Sequence, residues 1–232
     1  QFNLVQLAQS RHCPWIRSRV LQHCSGDYIF FMDNDCYVEE DFFPALMEVL
    51  ESKPSVAGIS PALVYHPSRT LQCLGVSVDL VEDGLFHPKH LLHEEPWNEH
   101  RHKVPFFSDL IPGGCSLFRR SFLEQCSYDE RLKNLFGDFD LCLQGREHGW
   151  KYMFHPAHAL IHDKTTNSEE YIRAKNALTD WMGSVALIEK KWGLRYFLLK
   201  HIEEGRVILK GGQLPQWLPR DQWPENQGTR NG

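Results

Sequence analysis

Residues 26–35 have the sequence GDYIFFMDND, and this stretch decides the interpretation of the whole chain. Its apolar part, residues 28–32, is too short for a helix and shows no alternation of polar side chains. Such a run is typical of a strand that is covered on both faces, as in a parallel sheet. It ends abruptly in Asp33, Asn34 and Asp35. Two carboxylates just beyond a buried parallel strand lie where α/β sheets bind ligands.

The elements around this stretch predict an α/β sheet. Residues 11–24 are predicted to form a helix that ends at Ser25 and Gly26, because residues of these types stop helices. Residues 39–52 carry an apolar stripe at helical spacing, and residues 56–63 supply a second strand. Helix, strand, helix and strand in this order favour right-handed crossovers between parallel strands.

The rest of the chain divides into an irregular middle, a regular second half and a tail. Residues 66–107 are interrupted by proline, glycine and histidine, which predicts hairpins and loops. The tail from Gly211 is rich in proline, glutamine, tryptophan and glycine, which indicates a linker or docking segment. The elements predicted between them are a strand ending at Phe118, a helix over 138–148, a strand over 152–161 broken by Pro156, and one long helix from about 169 to 191.

Composition excludes several classes of protein. The 232 residues carry a formal net charge of −5, so there is no basic surface that would indicate nucleic-acid binding. No apolar run approaches the roughly 18–20 residues that span a bilayer, and no signal-type segment opens the chain. The seven cysteines are scattered without a CxxC pair, which favours reduced thiols and a cytoplasmic location over a disulfide framework or a zinc knuckle.

Asp33 and Asp35 are the first candidate site residues. Alternating aspartates can share one hard divalent cation through oxygen, while the phosphates of a substrate complete its coordination shell. The competing interpretation is a turn that caps the strand, since aspartate and asparagine are common turn residues. For the triplet alone, the two interpretations have about even weight because a D-x-D match is short.

Asp138 and His162 are the other candidates. Asp138 stands at a predicted helix start, where it could act as a general base or simply as an N-cap, with Asp140 favouring the helix dipole. His162 follows a strand-like run and could complete a carboxylate-rich metal site, although a lone histidine is more often an ordinary loop residue. The remaining histidines of the middle segment match no helical metal pair, and we interpret them as solvated loop residues: 66, 87, 90, 93, 100 and 102.

These segments occur in an order that resembles family-2 glycosyltransferases. Residues 26–35 are similar to the "GeYilFlDdD" strand of that family, and residues 112–120 (PGGCSLFRR) are similar to its "GacmliRR" segment. Residues 128–142 resemble "fDE…f.eDvDLc.R", although Gly137 replaces an acidic residue and Gln144 or Gly145 stands near the position of the usual arginine. The remaining matches are residues 149–151, Pro156 and His162 against "Gw…P.a.v.H", and residues 191–193 against the "KWG" of rhamnosyltransferase-like members.

The resemblance implies a fold of the GT-A type, a Rossmann-like mixed sheet flanked by helices with a helical C-terminal extension. The N-terminal strands that read the nucleobase are expected to precede this sequence, since the chain begins at Gln1 and residues 1–16 are too few to supply them. The expected divisions are a catalytic part over 1–166, a helical extension over 167–210, and a tail over 211–232.

The resemblance also implies an activity. The family transfers a sugar from a nucleotide-diphosphate sugar to an acceptor hydroxyl, here as a hexosyl- or deoxyhexosyltransferase that inverts the anomeric carbon and uses Mg²⁺ or Mn²⁺. The expected acceptor is a saccharide, a lipid-linked molecule or a protein, as in polysaccharide biosynthesis. A peripheral position at the inner face of the membrane is compatible with this activity.

The resemblance assigns roles residue by residue. Asp33 and Asp35 match the metal- and diphosphate-binding pair, His162 matches the third metal ligand, and Asp138 matches the base that deprotonates the acceptor hydroxyl. Arg17 and Gly114 fall beside the donor. Two other classes of protein remain open. The second-ranked is a non-catalytic binding or scaffold module, which Gly137 and the expected absence of the N-terminal strands favour. The third is a metal-dependent phosphohydrolase, which is expected to supply more metal ligands than these.

Overall fold

The computed structural model describes residue 6 and residues 12–81, 85–133, 136–166, 168–175, 177–208, 216–217 and 222. The chain forms two compact units. The first contains Gln1–Val78 and Pro88–Asn167, and the second contains Asp79–His87 and Ser168–Gly232.

The strands and helices are numbered in chain order. The strands are β1 (Tyr28–Met32), β2 (Cys36–Val38), β3 (Val56–His66), β4 (Leu71–Cys73), β5 (Val76–Val81), β6 (Leu85–His90), β7 (Phe106–Ser108), β8 (Cys115–Arg119), β9 (Lys151–Asp163), β10 (Arg195–Tyr196), β11 (Val207–Ile208) and β12 (Gln216–Trp217). The helices are α1 (Cys13–Val20), α2 (Phe43–Ser52), α3 (Arg120–Gln125), α4 (Gly137–Glu147), α5 (Glu169–Lys175), α6 (Leu178–Trp192) and α7 (Phe197–Glu203).

A mixed sheet of seven strands forms the centre of the first unit. Its order is β1-β8-β3-β9-β2, with β4 paired to β3 and β7 paired to β9. Within the described part of this sheet, β3 and β9 pair in parallel, while β1 with β8, β2 with β9, β3 with β4, β3 with β8 and β7 with β9 pair antiparallel. The mixed sheet flanked by helices that the resemblance implies is therefore confirmed.

The interpretation of β1 as a strand with parallel neighbours is wrong. Its partner is the antiparallel β8, which lies between β1 and β3. The apolar run reflects unequal coverage of its two faces instead. Phe31 is buried, with its ring centre 6.0 Å from that of Tyr128, while Phe30 is partly buried, with its ring centre 5.0 Å from that of Phe43 in α2, and Met32 is exposed. Periodicity reports burial, and it carries no information about strand direction.

Pro156 does not break the strand that contains His162. Strand β9 continues through it as a bulge, because Pro61 of β3 pairs with His155 while the next residue, Ala62, pairs with Ala159. Residues 156–158 are thus extra on β9, and the carbonyl of Pro156 accepts a hydrogen bond of 2.9 Å from the indole of Trp97. A bulge is one of the few places where a sheet tolerates proline.

Helices cover both faces of this sheet. Leu46 and Leu50 of α2 are fully buried, and α2 begins four residues later than predicted, with Pro44 in its first turn and the Asp41 carboxylate accepting from the Phe43 N–H at 3.1 Å. On the opposite face, the hydroxyl of Tyr152 in β9 donates to a backbone carbonyl of α4. This arrangement places the core on either side of β1, β8, β3 and β9.

The second unit differs from the single long helix predicted over 169–191. Two helices, α5 and α6, occupy this range, since Ala177 has extended backbone angles (φ −59°, ψ 120°) before α6 begins. Gly193 ends α6 in the left-handed conformation (φ +63°). Tyr196 of β10 then packs against Trp181 and Phe86. The linker or docking segment predicted from Gly211 onward lies outside the described residues, except for residues 216–217 and 222.

The histidines of the middle segment were expected to be solvated loop residues, and the structure contradicts this for four of them. Three of them are in strands: His66 in β3, and His87 and His90 in β6. His100 is only 6% exposed; its Nε2 lies 2.8 Å from a Glu95 carboxylate oxygen, and its Nδ1 accepts from the Lys103 amine at 2.7 Å. Non-local strand pairing positions these residues, and their spacing in the sequence does not reveal it.

The sequence also predicts reduced thiols and no membrane-spanning segment. All seven cysteines lie in the described part of the chain, where none of them forms a disulfide, and four of them are buried. Within the described ranges, no helix combines the length and apolar character that crossing a bilayer requires.

Candidate active site

Two groups of polar side chains lie where β1 ends. The Arg17 cluster consists of Arg17, Asp33 and Asp138, and the His162 cluster consists of Asp35, Cys36 and His162. The antiparallel pairing of β1 with β8 places Met32 opposite Cys115, so the loop before β8 lies beside the carboxylates that follow β1.

Arg17 joins two carboxylates that are distant in the sequence. One guanidinium nitrogen donates to Asp33 Oδ1 at 2.8 Å, and the other donates to Asp138 Oδ1 at 3.1 Å. The Arg17 side chain is 12% exposed, while Asp33 and Asp138 are 48% and 40% exposed. The Arg17 side chain is thus the buried member of the cluster, and both carboxylates are accessible to solvent or to a ligand.

The electrostatics of the cluster depend on burial. Burial raises the pKa of the Asp33 carboxyl, and Arg17 opposes this effect only in part. Burial also acts to lower the pKa of Arg17, but Tyr128, Asp138 and Asp33 together hold it above its ordinary value. Arg17 therefore keeps its charge, and one cation is shared between two carboxylates.

Asp138 is not the N-cap that the alternative interpretation required. Helix α4 begins at Gly137, and its N-cap is Phe136, which adopts the left-handed conformation (φ +60°) and makes no side-chain cap. Asp138 is inside the first turn, and its carboxylate accepts from Arg17. The helix start thus places the carboxylate in the cluster, while its role as a base stays a prediction.

Gly113 and Gly114 let the backbone lie directly against these carboxylates. A Cβ on Gly114 would stand 2.2 Å from Asp33 Oδ2, and one on Gly113 would stand 2.1 Å from Asp138 Oδ1. The Gly114 carbonyl also accepts from the Asp33 N–H at 2.9 Å. No other residue type fits such a close approach without displacement.

The His162 cluster is held by strands. Cys36 of β2 pairs with His162 of β9, and the Asp163 N–H donates to the Asp35 carbonyl at 2.8 Å. His162 Nε2 lies 3.1 Å from Asp35 Oδ2, and His162 Nδ1 faces the side-chain oxygen of Gln72. The side chains of Asp35 and His162 are only 9% and 11% exposed.

This donor arrangement fits a cation. With Gln72 Oε1 accepting from Nδ1–H, a neutral His162 directs the lone pair of Nε2 at the Asp35 carboxylate. Two acceptors at 3.1 Å need a proton or a metal ion between them. The ligand atoms of Asp35, Cys36 and His162 all lie within 4.8 Å of one another.

The structure separates the two aspartates of the D-N-D triplet. Among the described residues, the group of at least three that could hold a metal contains Asp35 and His162 but does not contain Asp33. Asp33 contacts Arg17 instead. Metal binding by Asp33, Asp35 and His162 stays a prediction, as does contact of Arg17 and Gly114 with a donor.

Sequence reasoning missed Gln72 and Cys36, and it interpreted Asp140 only through the helix dipole. Gln72 is a lone glutamine in β4 and no spacing connects it with His162. Cys36 directly follows the D-N-D triplet, and this position next to two carboxylates is the sequence signal that could have identified it as a site residue. Asp140 is fully buried and accepts from Gln144 Nε2 at 2.8 Å; the same amide nitrogen donates to the Ser127 carbonyl at 2.9 Å, which connects α4 to the chain just before Tyr128.

Comparisons with known proteins agree with this fold. One solved structure similar to the chain is described as "Crystal structure of GalNAc-T7 with UDP, GalNAc and Mn2+", with 16% sequence identity and a TM-score of 0.52. The match covers 86% of this chain and 41% of the other, so the chain spans less than half of that protein, and the likeness concerns the fold alone. No curated protein matches the sequence. A family model described as "Glycosyltransferase like family 2" matches residues 16–180, well over half of the chain, and the protein therefore belongs to that family.

Proposed function

We propose that this chain carries the catalytic groups of an inverting glycosyltransferase, which moves a sugar from a nucleotide-diphosphate sugar to an acceptor hydroxyl. The observation that carries the proposal is the double ion pair of Arg17, at 2.8 Å to Asp33 and 3.1 Å to Asp138, beside the His162 cluster in a family-2 domain. Residues 1–166 would hold these groups, and residues 167–210 would be a helical extension.

Asp138 has the properties that a general base needs. It is 40% exposed, so an acceptor hydroxyl can reach it, and the hydrogen bond from Arg17 to Oδ1 fixes the orientation of the carboxylate. In a single displacement, the acceptor oxygen bonds to the anomeric carbon as the bond to the diphosphate breaks, and the hydroxyl proton passes to Asp138. Positioned bases of this kind typically contribute about 10²–10⁴ in rate.

The donor side would be formed by the other groups at the end of β1. The glycine backbone at 113–114 lies directly against the carboxylates of Asp33 and Asp138, so no side chain of these two residues stands between the carboxylates and a donor. Asp35 and His162 offer an oxygen and a nitrogen to a divalent cation, which when bound would neutralise charge on the departing diphosphate. Burial keeps these two side chains in place before any ligand arrives.

The test begins with nucleotide binding to the full chain. The similar structure contains UDP and Mn²⁺, so these are the first probes. We expect calorimetry to show UDP binding that depends on Mn²⁺ and that Asp35→Asn weakens. Absence of binding by UDP, GDP and dTDP alike, with Mn²⁺ or Mg²⁺, would overturn the proposal.

A second measurement separates the enzyme from a non-catalytic module. Release of the nucleoside diphosphate is followed with a panel of UDP-, GDP- and dTDP-sugars that includes hexoses and deoxyhexoses, with saccharide, lipid-linked and peptide acceptors. Acceptor-dependent release with inverted product stereochemistry supports the proposal. Tight nucleotide binding without release from any donor contradicts it and favours the binding module.

A further inference from the structure

We propose that Cys36 is a direct metal ligand, so that Asp35, Cys36 and His162 form a mixed oxygen, sulfur and nitrogen site that binds Zn²⁺ and Co²⁺ in preference to Mg²⁺. The inference concerns the cation site used in the proposed function. It is nevertheless tested by metal binding alone, so that its failure can be distinguished from a failure of sugar transfer.

The backbone fixes the position of the thiol. Cys36 is the first residue of β2, and its Cα is paired with that of His162 across the antiparallel ladder. Paired residues of neighbouring strands carry side chains that can meet on one face. Two adjacent strands and the turn that holds Asp35 therefore supply the three ligands.

The distances fit one ion. Cys36 Sγ lies 4.0 Å from Asp35 Oδ1, and His162 Nε2 lies 3.1 Å from Asp35 Oδ2. Ligand atoms bonded at about 2.0–2.3 Å to a tetrahedral ion stand roughly 3.3–3.8 Å apart. These two separations lie close to this range but end on different oxygens of Asp35. With one ligand atom from each residue, the three atoms lie within 4.8 Å of one another, so side-chain movements of up to about 1 Å would bring them to the separations of a tetrahedral site.

The chemistry of the three atoms decides the preference. Thiolate sulfur and imidazole nitrogen are good ligands for Zn²⁺ and Co²⁺, whereas Mg²⁺ requires oxygen ligands in octahedral geometry and keeps several waters. A substrate diphosphate could still occupy the remaining position of a four-coordinate ion.

Gln72 supports the same site by contacting the ring nitrogen of His162 that faces away from Asp35. By accepting from His162 Nδ1, it selects the tautomer whose Nε2 lone pair is directed at the site. Metal-bound histidines generally have such a partner on the second ring nitrogen. On binding, the metal–sulfur bond replaces the S–H bond of Cys36 and the proton goes to the buffer.

The experiment uses Co²⁺ as a spectroscopic probe on the metal-free full chain. A sulfur-to-cobalt charge-transfer band is expected in the near ultraviolet for the wild type and for Cys24→Ser, whose thiol contacts the Val20 carbonyl outside the site. Cys36→Ser should lose the band. It should also lower Zn²⁺ affinity about 10–100-fold while changing Mg²⁺ affinity by less than about twofold.

Cys36→Asp protects the test against misfolding of the serine variant. It keeps a metal ligand at the position, so it should bind Co²⁺ without the band. A band that persists in either Cys36 variant, or Co²⁺ binding by the wild type without a band, would overturn the inference. A wild type that shows the band but transfers no sugar leaves the inference standing, while sugar transfer without a band removes the inference alone.

Discussion

Asp33 and Asp35 are separated by one residue, yet their surroundings differ in almost every respect. Asp33 is 48% exposed and its carboxylate is ion-paired with Arg17. Asp35 is 9% exposed and faces the imidazole of His162 and the thiol of Cys36. The carboxylate of the first aspartate is balanced by the guanidinium of Arg17, whereas that of the second lies beside an imidazole and a thiol.

This difference shows that a short motif can supply two sites. The strand β1 ends at Met32, and the turn that follows directs one carboxylate towards α1 and α4 and the other towards β2 and β9. If each cluster has its own task, variants of one should leave the other unchanged. Variants of each cluster, and a shift in pH outside both, test that separation.

Asp138→Asn is expected to have the largest effect. The amide keeps the shape of the side chain but cannot accept the acceptor proton, so turnover should fall by about 10²–10⁴. Co²⁺ affinity should stay within about twofold, because Asp138 belongs to the Arg17 cluster alone. Asp41→Asn, an identical change at the start of α2, is the control and should keep full turnover. Near-normal turnover in Asp138→Asn would show that another group is the base.

Gly114→Ala tests the Arg17 cluster by crowding it. The new methyl would stand within 2.5 Å of three atoms of the Asp33 carboxylate, so that side chain must move. We expect a loss of about 1–3 kcal/mol in the free energy of unfolding, together with weaker UDP binding. Gly183→Ala in α6 meets no atom within 4 Å and should instead stabilise the protein by about 0.5–1 kcal/mol. Thermal melts measure the stability of both variants. A loss of Co²⁺ affinity in Gly114→Ala as large as its loss of UDP affinity would contradict the separation of the clusters.

Gln72→Leu acts on the other cluster. Without its oxygen acceptor, His162 loses the partner that orients its ring, and metal affinity should fall about tenfold. The Arg17 cluster should be unaffected, so UDP binding measured at saturating Mn²⁺ should not change. Gln22→Leu provides a matched control, because Gln22 contacts the ring of His23 at 3.3 Å on the surface. Unchanged Co²⁺ affinity in Gln72→Leu would remove the orienting role of Gln72.

The smallest effect is expected from acid, and it lies outside both clusters. Burial, together with His158, lowers the pKa of His155 to about 4. The folded protein keeps this imidazole neutral while the unfolded chain binds a proton below about pH 6.5, so stability is lost as the pH falls from there towards 4. The loss should be about 1 kcal/mol, since the side chain is partly exposed. Melting temperatures from pH 7 to 4 should fall less steeply in His155→Gln than in the wild type; an identical slope would place the acid sensitivity elsewhere.

The sequence predicts the identity of the main site residues better than their arrangement. The D-N-D triplet after an apolar run and the later Asp138 and His162 indicate the right neighbourhood, because strand ends and helix starts collect ligand-binding groups. Periodicity could not show that β8 lies between β1 and β3, since strand order depends on contacts between distant residues. It also could not find Gln72, which reaches His162 through the pairing of β4 with β3.

The bulge in β9 has a consequence for how this strand can change in evolution. The residues before it pair with the first half of β3 and with β7, and the residues after it pair with the second half of β3 and with β2. Each half is therefore anchored by its own neighbours, while the bulge contacts other parts of the chain through the Pro156 carbonyl and through His158, which lies 3.1 Å from Glu40. A change in the length of the bulge would cost these two contacts, whereas the pairing that positions His162 comes after the bulge and would be kept.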